Sequence, residues 1–241
     1  MWGVTANRPL QCLKVGAQAL VWGEAVRTWR GRFRYRCAVS PTPTGAIKLS
    51  PMELNLVDVP AVESCLRSLV GPRREFRFAG RVWLSDVPRP IVLLLPDLSV
   101  RAAVLQLEQF PAQLEEQEAL IRWRLGQEQL VPLAGAKIVW QVFPWYGIGG
   151  QHSQTGLVVA IQEVILREFE SLCESVGLLP LEVGVTGFRL FDLWLKAAGD
   201  WKRLERDLLW VSVSDGGLTC FVMQERRLVF VRTKLLTVGN F

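Results

Sequence analysis

Short apolar runs alternating with polar residues open the chain at Cys12 to Val15, Ala19 to Trp22 and Phe33 to Val39. They predict antiparallel strands joined by tight turns. A loop rich in proline and threonine follows from Ser40 to Ser50. Pro60 then starts a helix through Val70, with Val62, Cys65, Leu66, Leu69 and Val70 on its apolar stripe and Gly71-Pro72 as its stop. Arg73 to Pro90 reads as an edge strand around Phe76 to Leu84. The unbroken run Ile91 to Leu95, ended by Pro96-Asp97, predicts a fully buried central strand. Val100 to Leu107 predicts another strand, with imperfect alternation.

Phe110-Pro111 opens a helix through Gln127, with Glu115, Glu116 and Glu118 early and Arg122 and Arg124 late, as the helix dipole favours. Lys137 to Phe143 and Leu157 to Ile161 read as strands. The connection between them, Pro144 to Thr155, carries Gly147-Ile148-Gly149-Gly150. A phosphate-binding loop needs a helix directly after it. A strand follows instead, so this is read as a flexible hairpin connection. Glu163 to Val176 is the clearest helix, because Ile165, Phe169, Leu172 and Val176 share one face and Gly177 caps its end. Leu181 to Val185 predicts a buried strand, and Phe188 to Ala198 a helix closed by Gly199. Strands at Leu208 to Ser214, Leu218 to Met223 and Leu228 to Arg232 complete the pattern, with Asp215-Gly216-Gly217 as a hairpin turn. The fold class is α/β in the mixed α+β sense.

Composition narrows the function. Half of the 241 residues are hydrophobic and 21% are charged. That supplies core material for one large domain or two small ones and is unlike a disordered chain. Ten tryptophans read chiefly as core packing, with interface contacts as the alternative. The net charge of +5 suits an acidic partner, nucleic acid or an anionic membrane surface. Its one dense patch is Arg27, Arg30, Arg32, Arg34 and Arg36, interleaved with Trp29, Phe33 and Tyr35. The functional reading is a nucleic-acid or lipid-headgroup face. The preferred reading is a strand whose even positions point to water, alternating with Phe33, Tyr35 and Cys37. Such an arginine face beside a bilayer would bind anionic lipid weakly.

The five cysteines are far apart and sit among apolar residues, so they read as buried free thiols in a reducing compartment. His152 is the only histidine and reads as an exposed loop residue. One histidine without Cys-x-x-Cys argues against a zinc site. The longest apolar run falls far short of the ~20 residues of a spanning helix, and the N-terminus lacks a signal-peptide pattern. A cytoplasmic location is the expectation.

Several segments, in the same order and spacing, resemble the PilM family of type IV pilus assembly proteins, cytoplasmic relatives of FtsA with an actin-like fold. They are Ile91-Val92-Leu93-Leu94-Leu95-Pro96, Val104-Leu105-Gln106-Leu107 leading to Phe110-Pro111 and Leu114-Glu115-Glu116, Leu130-Val131-Pro132-Leu133 before Val139-Trp140-Gln141-Val142, Val176-Gly177-Leu178-Leu179-Pro180-Leu181, and Phe230-Val231-Arg232. The resemblance implies an actin-like, ribonuclease H-like subdomain 1A at 1–97 and 181–207. It implies an inserted strand-helix-strand-strand-helix subdomain 1C at 98–180, and the start of a second actin-like half at 208–241, that half being largely missing.

The resemblance also implies two phosphate loops. The first, Leu13 to Leu20, has Lys14 where the family carries a metal-holding aspartate. It keeps Gly16 but replaces hydroxyl residues with Ala17 and Ala19. In the second, Leu209 to Gly217, Ser212 stands for the aspartate and Ser214 for the glycine, with Asp215, Gly216 and Gly217 in the turn. Lysine can meet phosphate but cannot ligate Mg²⁺, which demands oxygen. No ATP hydrolysis, no required cofactor and at best weak nucleotide binding are expected. The implied function is a cytoplasmic scaffold at the inner membrane in a pilus or type II secretion platform. Its implied partners are the tail of a PilN-like protein and other platform components, and the cytoplasmic part of GspL is a close variant. An actin-like ATPase and a nucleic-acid binder are the alternatives; the resemblance gives the second no help.

Overall fold

The computed structural model describes residues 9–71, 75–78, 81–84, 87–107, 110–127, 134–146, 152–197, 207–225 and 227–236. The chain divides into two compact units, one of Met1–Leu49, Leu54–Pro96 and Leu166–Thr186, the other of Ser50–Glu53, Asp97–Ile165 and Gly187–Phe241.

The first unit is built on a five-stranded mixed sheet. Strands β1 (Gln11–Lys14), β2 (Ala19–Arg27) and β3 (Phe33–Pro41) pair antiparallel, as the opening alternation predicts. Helix α1 (Val59–Val70) starts where Asp58 accepts a bond from the Ala61 N–H, with proline in its first turn, and ends at Gly71 with φ 70. Val62 and Leu66 of its stripe are fully buried; Cys65, Leu69 and Val70 are half-buried. The single edge strand expected near Phe76 is instead a hairpin, β4 (Glu75–Phe78) and β5 (Arg81–Leu84), forming its own two-stranded sheet.

Strand β6 (Arg89–Leu95) is central, as expected, and lies parallel to β1. Ile91, Leu93 and Leu95 are buried, while Val92 and Leu94 are half-buried. Helix α3 (Glu163–Ser175) buries Ile165, Phe169 and Leu172, and Val176 of the same stripe is buried in the turn that follows. Its Glu168 accepts the backbone N–H groups of Asn55 and Leu56 at 2.7 and 2.8 Å, fixing the loop before α1. Strand β10 (Leu178–Val185) pairs parallel to β6. It begins three residues before the expected Leu181 and is not a buried strand. It is an edge, with Leu179, Leu181 and Val183 exposed. The sheet order β10-β6-β1-β2-β3 places two parallel connections beside an antiparallel meander.

The second unit begins with a 3-10 turn at Asp97–Ser99. Strands β7 (Arg101–Leu107), β8 (Ala136–Tyr146) and β9 (His152–Gln162) form an antiparallel sheet of order β7-β9-β8. One face packs on α2 (Leu114–Gln127), where Ile121 and Leu125 meet Ala103, Leu105, Ile138 and Val158. The helix starts at Leu114, later than the expected Phe110. The β8–β9 strands run to Tyr146 and from His152 in register. Hence residues 144–146 and 152–155 of the expected loop are strand, 147–151 lie outside the described residues, and His152 opens a strand rather than sitting in a loop.

Helix α4 (Thr186–Ala197) packs on the three-stranded sheet β11 (Leu208–Ser214), β12 (Gly217–Gln224) and β13 (Arg227–Leu235). The predicted cap Gly199 lies outside the described residues. Phe221 is fully buried, stacked on Phe191 with centroids 4.4 Å apart, edge-on to Phe188 at 5.0 Å and to Trp210 at 5.4 Å.

One compositional expectation is corrected and another is met in the main. Of the cysteines only Cys173 is buried; Cys37 is exposed and Cys12, Cys65 and Cys220 are half-buried, none of them in a disulfide. The described tryptophans pack largely as expected, Trp22 buried and Trp140, Trp194 and Trp210 half-buried against core clusters, while Trp29 and Trp123 are exposed. Alternation records which side chains share a face, but not whether any element covers that face.

Candidate functional site

The first candidate loop follows β1. Lys14 ends the strand, held between Val21 of β2 and Leu94 of β6. Leu13 and Val15 are fully buried on either side of it, and Gly16 is buried too. The Val15 N–H donates to the Leu94 carbonyl at 3.0 Å. Thr42 takes two carbonyls of the turn: its hydroxyl donates to Ala17 O at 2.7 Å and its N–H to Gln18 O at 3.0 Å. The loop is therefore a short connection between β1 and β2, well tied to Thr42 and to β6. From Leu13 to Leu20 it carries one ammonium, Lys14, and no carboxylate for a cation.

The second candidate loop is the β11–β12 hairpin, in the other unit. Asp215 and Gly216 both take positive φ, 54 and 75, the signature of a two-residue type I′ turn. The Ser214 hydroxyl donates to Asp215 Oδ2 at 2.7 Å, and the Gly216 carbonyl accepts the Leu236 N–H at 2.8 Å. Gly217 is the first residue of β12, and a Cβ there would lie 2.9 Å from Leu98 Cγ. Its need for glycine is explained by packing on Leu98. Ser212 faces Thr219 in the ladder. Each loop thus has a sufficient account as tight secondary structure.

The sequence reading missed a carboxylate that the fold does put to use. Asp97 lies just beyond β6. Its Oδ1 accepts the Gly187 N–H at the start of α4, and its Oδ2 accepts the Thr219 hydroxyl of β12, both at 2.6 Å. Thr219 is buried and its hydroxyl also meets that of Thr233 at 3.1 Å. A Cβ on Gly187 would collide with the Asp97 carboxylate. In the first unit, the Thr186 hydroxyl donates to the Leu95 carbonyl at 2.9 Å. Pro96-Asp97 reads in sequence only as a strand stop; the partner signal was the Thr-Gly pair opening a helix.

Among the described residues no group of three or more His, Cys, Asp or Glu stands together as a metal cage. No helix among them is long and apolar enough to cross a membrane. The feature best suited to a partner in the first unit is the outer edge of β10. No described strand pairs with it, and apolar Leu179, Leu181 and Val183 stand exposed along it. An edge of this kind can take an extended peptide as an added strand.

No family model and no curated protein sequence matches the chain. Solved structures do. A structure described as the PilM-PilN type IV pilus biogenesis complex is similar at TM-score 0.66 and 20% identity, over 94% of this chain and 61% of that one. This chain therefore spans about three-fifths of the length of that relative. The cytoplasmic domain of EpsL, an inner-membrane component of the Vibrio cholerae type II secretion system, matches at TM-score 0.48 and 10% identity, over 93% and 70%. A Bacteroides thetaiotaomicron protein described as having an actin-like ATPase fold and unknown function matches at 0.47 and 9%, over 94% and 70%. With its β10-β6-β1-β2-β3 sheet, mixed helices and strands, and likeness to the PilM-PilN structure over the stretch they share, the chain has a mixed α/β, actin-like fold.

Proposed function

We propose that this protein is a non-catalytic scaffold of a type IV pilus or type II secretion assembly platform. It works at the cytoplasmic face of the inner membrane and docks the cytoplasmic tail of a PilN-like protein. The observation that carries this reading is the fold likeness to a chain solved in a PilM-PilN complex. Two features support it. Both candidate phosphate loops lack the metal-holding aspartate and are explained as ordinary turns, and the β10 edge offers backbone groups and apolar side chains to an extended tail. Lys14, Gly16, Ser212, Asp215, Gly216 and Gly217 are on this reading the remains of a nucleotide site, in a frame of subdomain 1A, an insert and the start of a second half.

The test is calorimetric titration of the whole chain with a synthetic peptide of the cytoplasmic tail from the PilN-like protein of the same operon. Saturable binding is expected, weakened about tenfold by Leu181→Asp, which places a charge on an exposed edge. Absence of any heat with the native protein sinks the scaffold reading. Saturable binding that Leu181→Asp leaves unchanged moves the tail off β10.

A further inference from the structure

The sheet's other edge departs most from expectation. Beyond Leu10, whose carbonyl accepts the Ala25 N–H, the β2–β3 ribbon has no third strand among the described residues. Among the described residues Val26 and Arg27 pair only with Arg34 and Phe33. The turn is well tied: the Thr28 N–H and hydroxyl both donate to Arg32 O, at 2.7 and 2.9 Å, and the Gly31 N–H donates to Thr28 O. Gly31 has φ 76, so the turn is glycine-dependent.

This rigid tip presents Trp29 88% exposed, with Tyr35 77% and Phe33 50% exposed on the arm behind it. The arginines of β3 and the aromatics between them are exposed on both faces, so the expected division into a wet and a covered face does not hold. From Ala25 to Met52 the chain carries five arginines and Lys48 but no aspartate or glutamate.

We propose that this hairpin is an interfacial anchor that seats against an anionic phospholipid surface. Exposed tryptophan and tyrosine settle at the headgroup level, where a ring meets hydrocarbon and a polar edge meets water. Arginines on both arms meet lipid phosphates, and the one acidic residue of the β2–β3 ribbon, Glu24, stands opposite Arg36, away from Trp29 and Arg30 at the tip. Three aromatics of this size left bare on one ribbon mark an interaction site. A convex tip suits a flat bilayer better than it suits a nucleic-acid strand, which needs a track of open stacking faces. Here the Arg30 guanidinium already lies over the Trp29 ring, 4.6 Å from its centroid. The anchor goes beyond the scaffold reading, since docking through a partner's tail does not require it.

The test is flotation of the full chain with vesicles of phosphatidylcholine alone and with phosphatidylglycerol added, at low and high salt. Binding is expected only to the anionic vesicles and should fall as salt rises. Arg30→Ala, Arg32→Ala and Arg34→Ala should each lower it about fivefold, and together ~100-fold. Trp29→Ala should lower the part that survives high salt. Every substituted side chain is exposed, so circular dichroism and the affinity for the tail peptide serve as controls that stay unchanged. Equal binding to both vesicle types, or a triple variant that binds like the native protein, overturns the anchor and leaves the scaffold reading untouched. Tighter retention of a single-stranded oligonucleotide, lost in the same variants, reassigns the hairpin to nucleic acid.

Discussion

Asp97 satisfies two donors that the chain supplies 90 and 122 residues later, the Gly187 N–H and the Thr219 hydroxyl. Bonds to a charged acceptor are worth about 1.5–3 kcal/mol each, and leaving a buried donor unmade is costly. Asp97→Ala should therefore destabilise by about 2–4 kcal/mol in urea unfolding. A double-mutant cycle with Thr219→Val should return a coupling above ~0.5 kcal/mol; strict additivity refutes the shared bond. No local pattern could announce this residue, because its partners are distant and its neighbours only say that a strand stops. Cys173 makes a second residue-scale case. Burial first, then the nearby charges of Glu170 and Glu174, push its thiol from 9.0 up to about 12. The folded state thus holds the proton more tightly than the unfolded chain. Its contribution to stability is full below pH 9 and is lost as pH rises from there towards 12. Denaturation midpoints of native protein and Cys173→Ala should converge across that window, and a constant gap contradicts the buried thiol. Apolar neighbours predicted burial for all five cysteines, and only for Cys173 did the fold cover the site.

Helix and hairpin were the elements best written into the chain. The α3 stripe of Ile165, Phe169, Leu172 and Val176 reads as one face and is buried as one face. Asp215-Gly216 reads as a hairpin and folds as a type I′ turn. Gly216→Val should cost about 1–2 kcal/mol, because a β-branched residue resists positive φ; an unchanged urea midpoint contradicts that geometry. Phe221 is the buried hub between α4 and β11. Phe221→Ala should cost about 3–5 kcal/mol, since it removes a ring in contact with three aromatic partners. A loss under ~1 kcal/mol means the aromatic cluster collapses to fill the space. The elements misread were those at edges. Apolar runs at Leu181 to Val185 and alternation at Phe33 to Cys37 look buried, yet β10 and β3 end the sheet. What lies beside a strand is set by chain segments far from it in sequence.

At the scale of the molecule, the proposed non-catalytic reading is tested with ATP. A ligand at ~100 times its Kd adds about 2.7 kcal/mol of stability, which in a chain of this size raises Tm by roughly 5–10 °C. Millimolar Mg-ATP should give no such rise and no phosphate release; either one restores the ATPase reading. The order of strands and helices, the turn at Asp215-Gly216, the lone histidine and the want of acidic residues at Lys14 and Ser212 were fixed by the sequence itself. They depend on local periodicity, side-chain chemistry and position in the chain. Tertiary structure decided that β10 and β3 are edges, that Asp97 rather than a loop residue is the carboxylate put to use, and that Trp29 stands in water. Those outcomes depend on which distant segments come together to bury a surface or supply a donor, and local pattern carries no record of that.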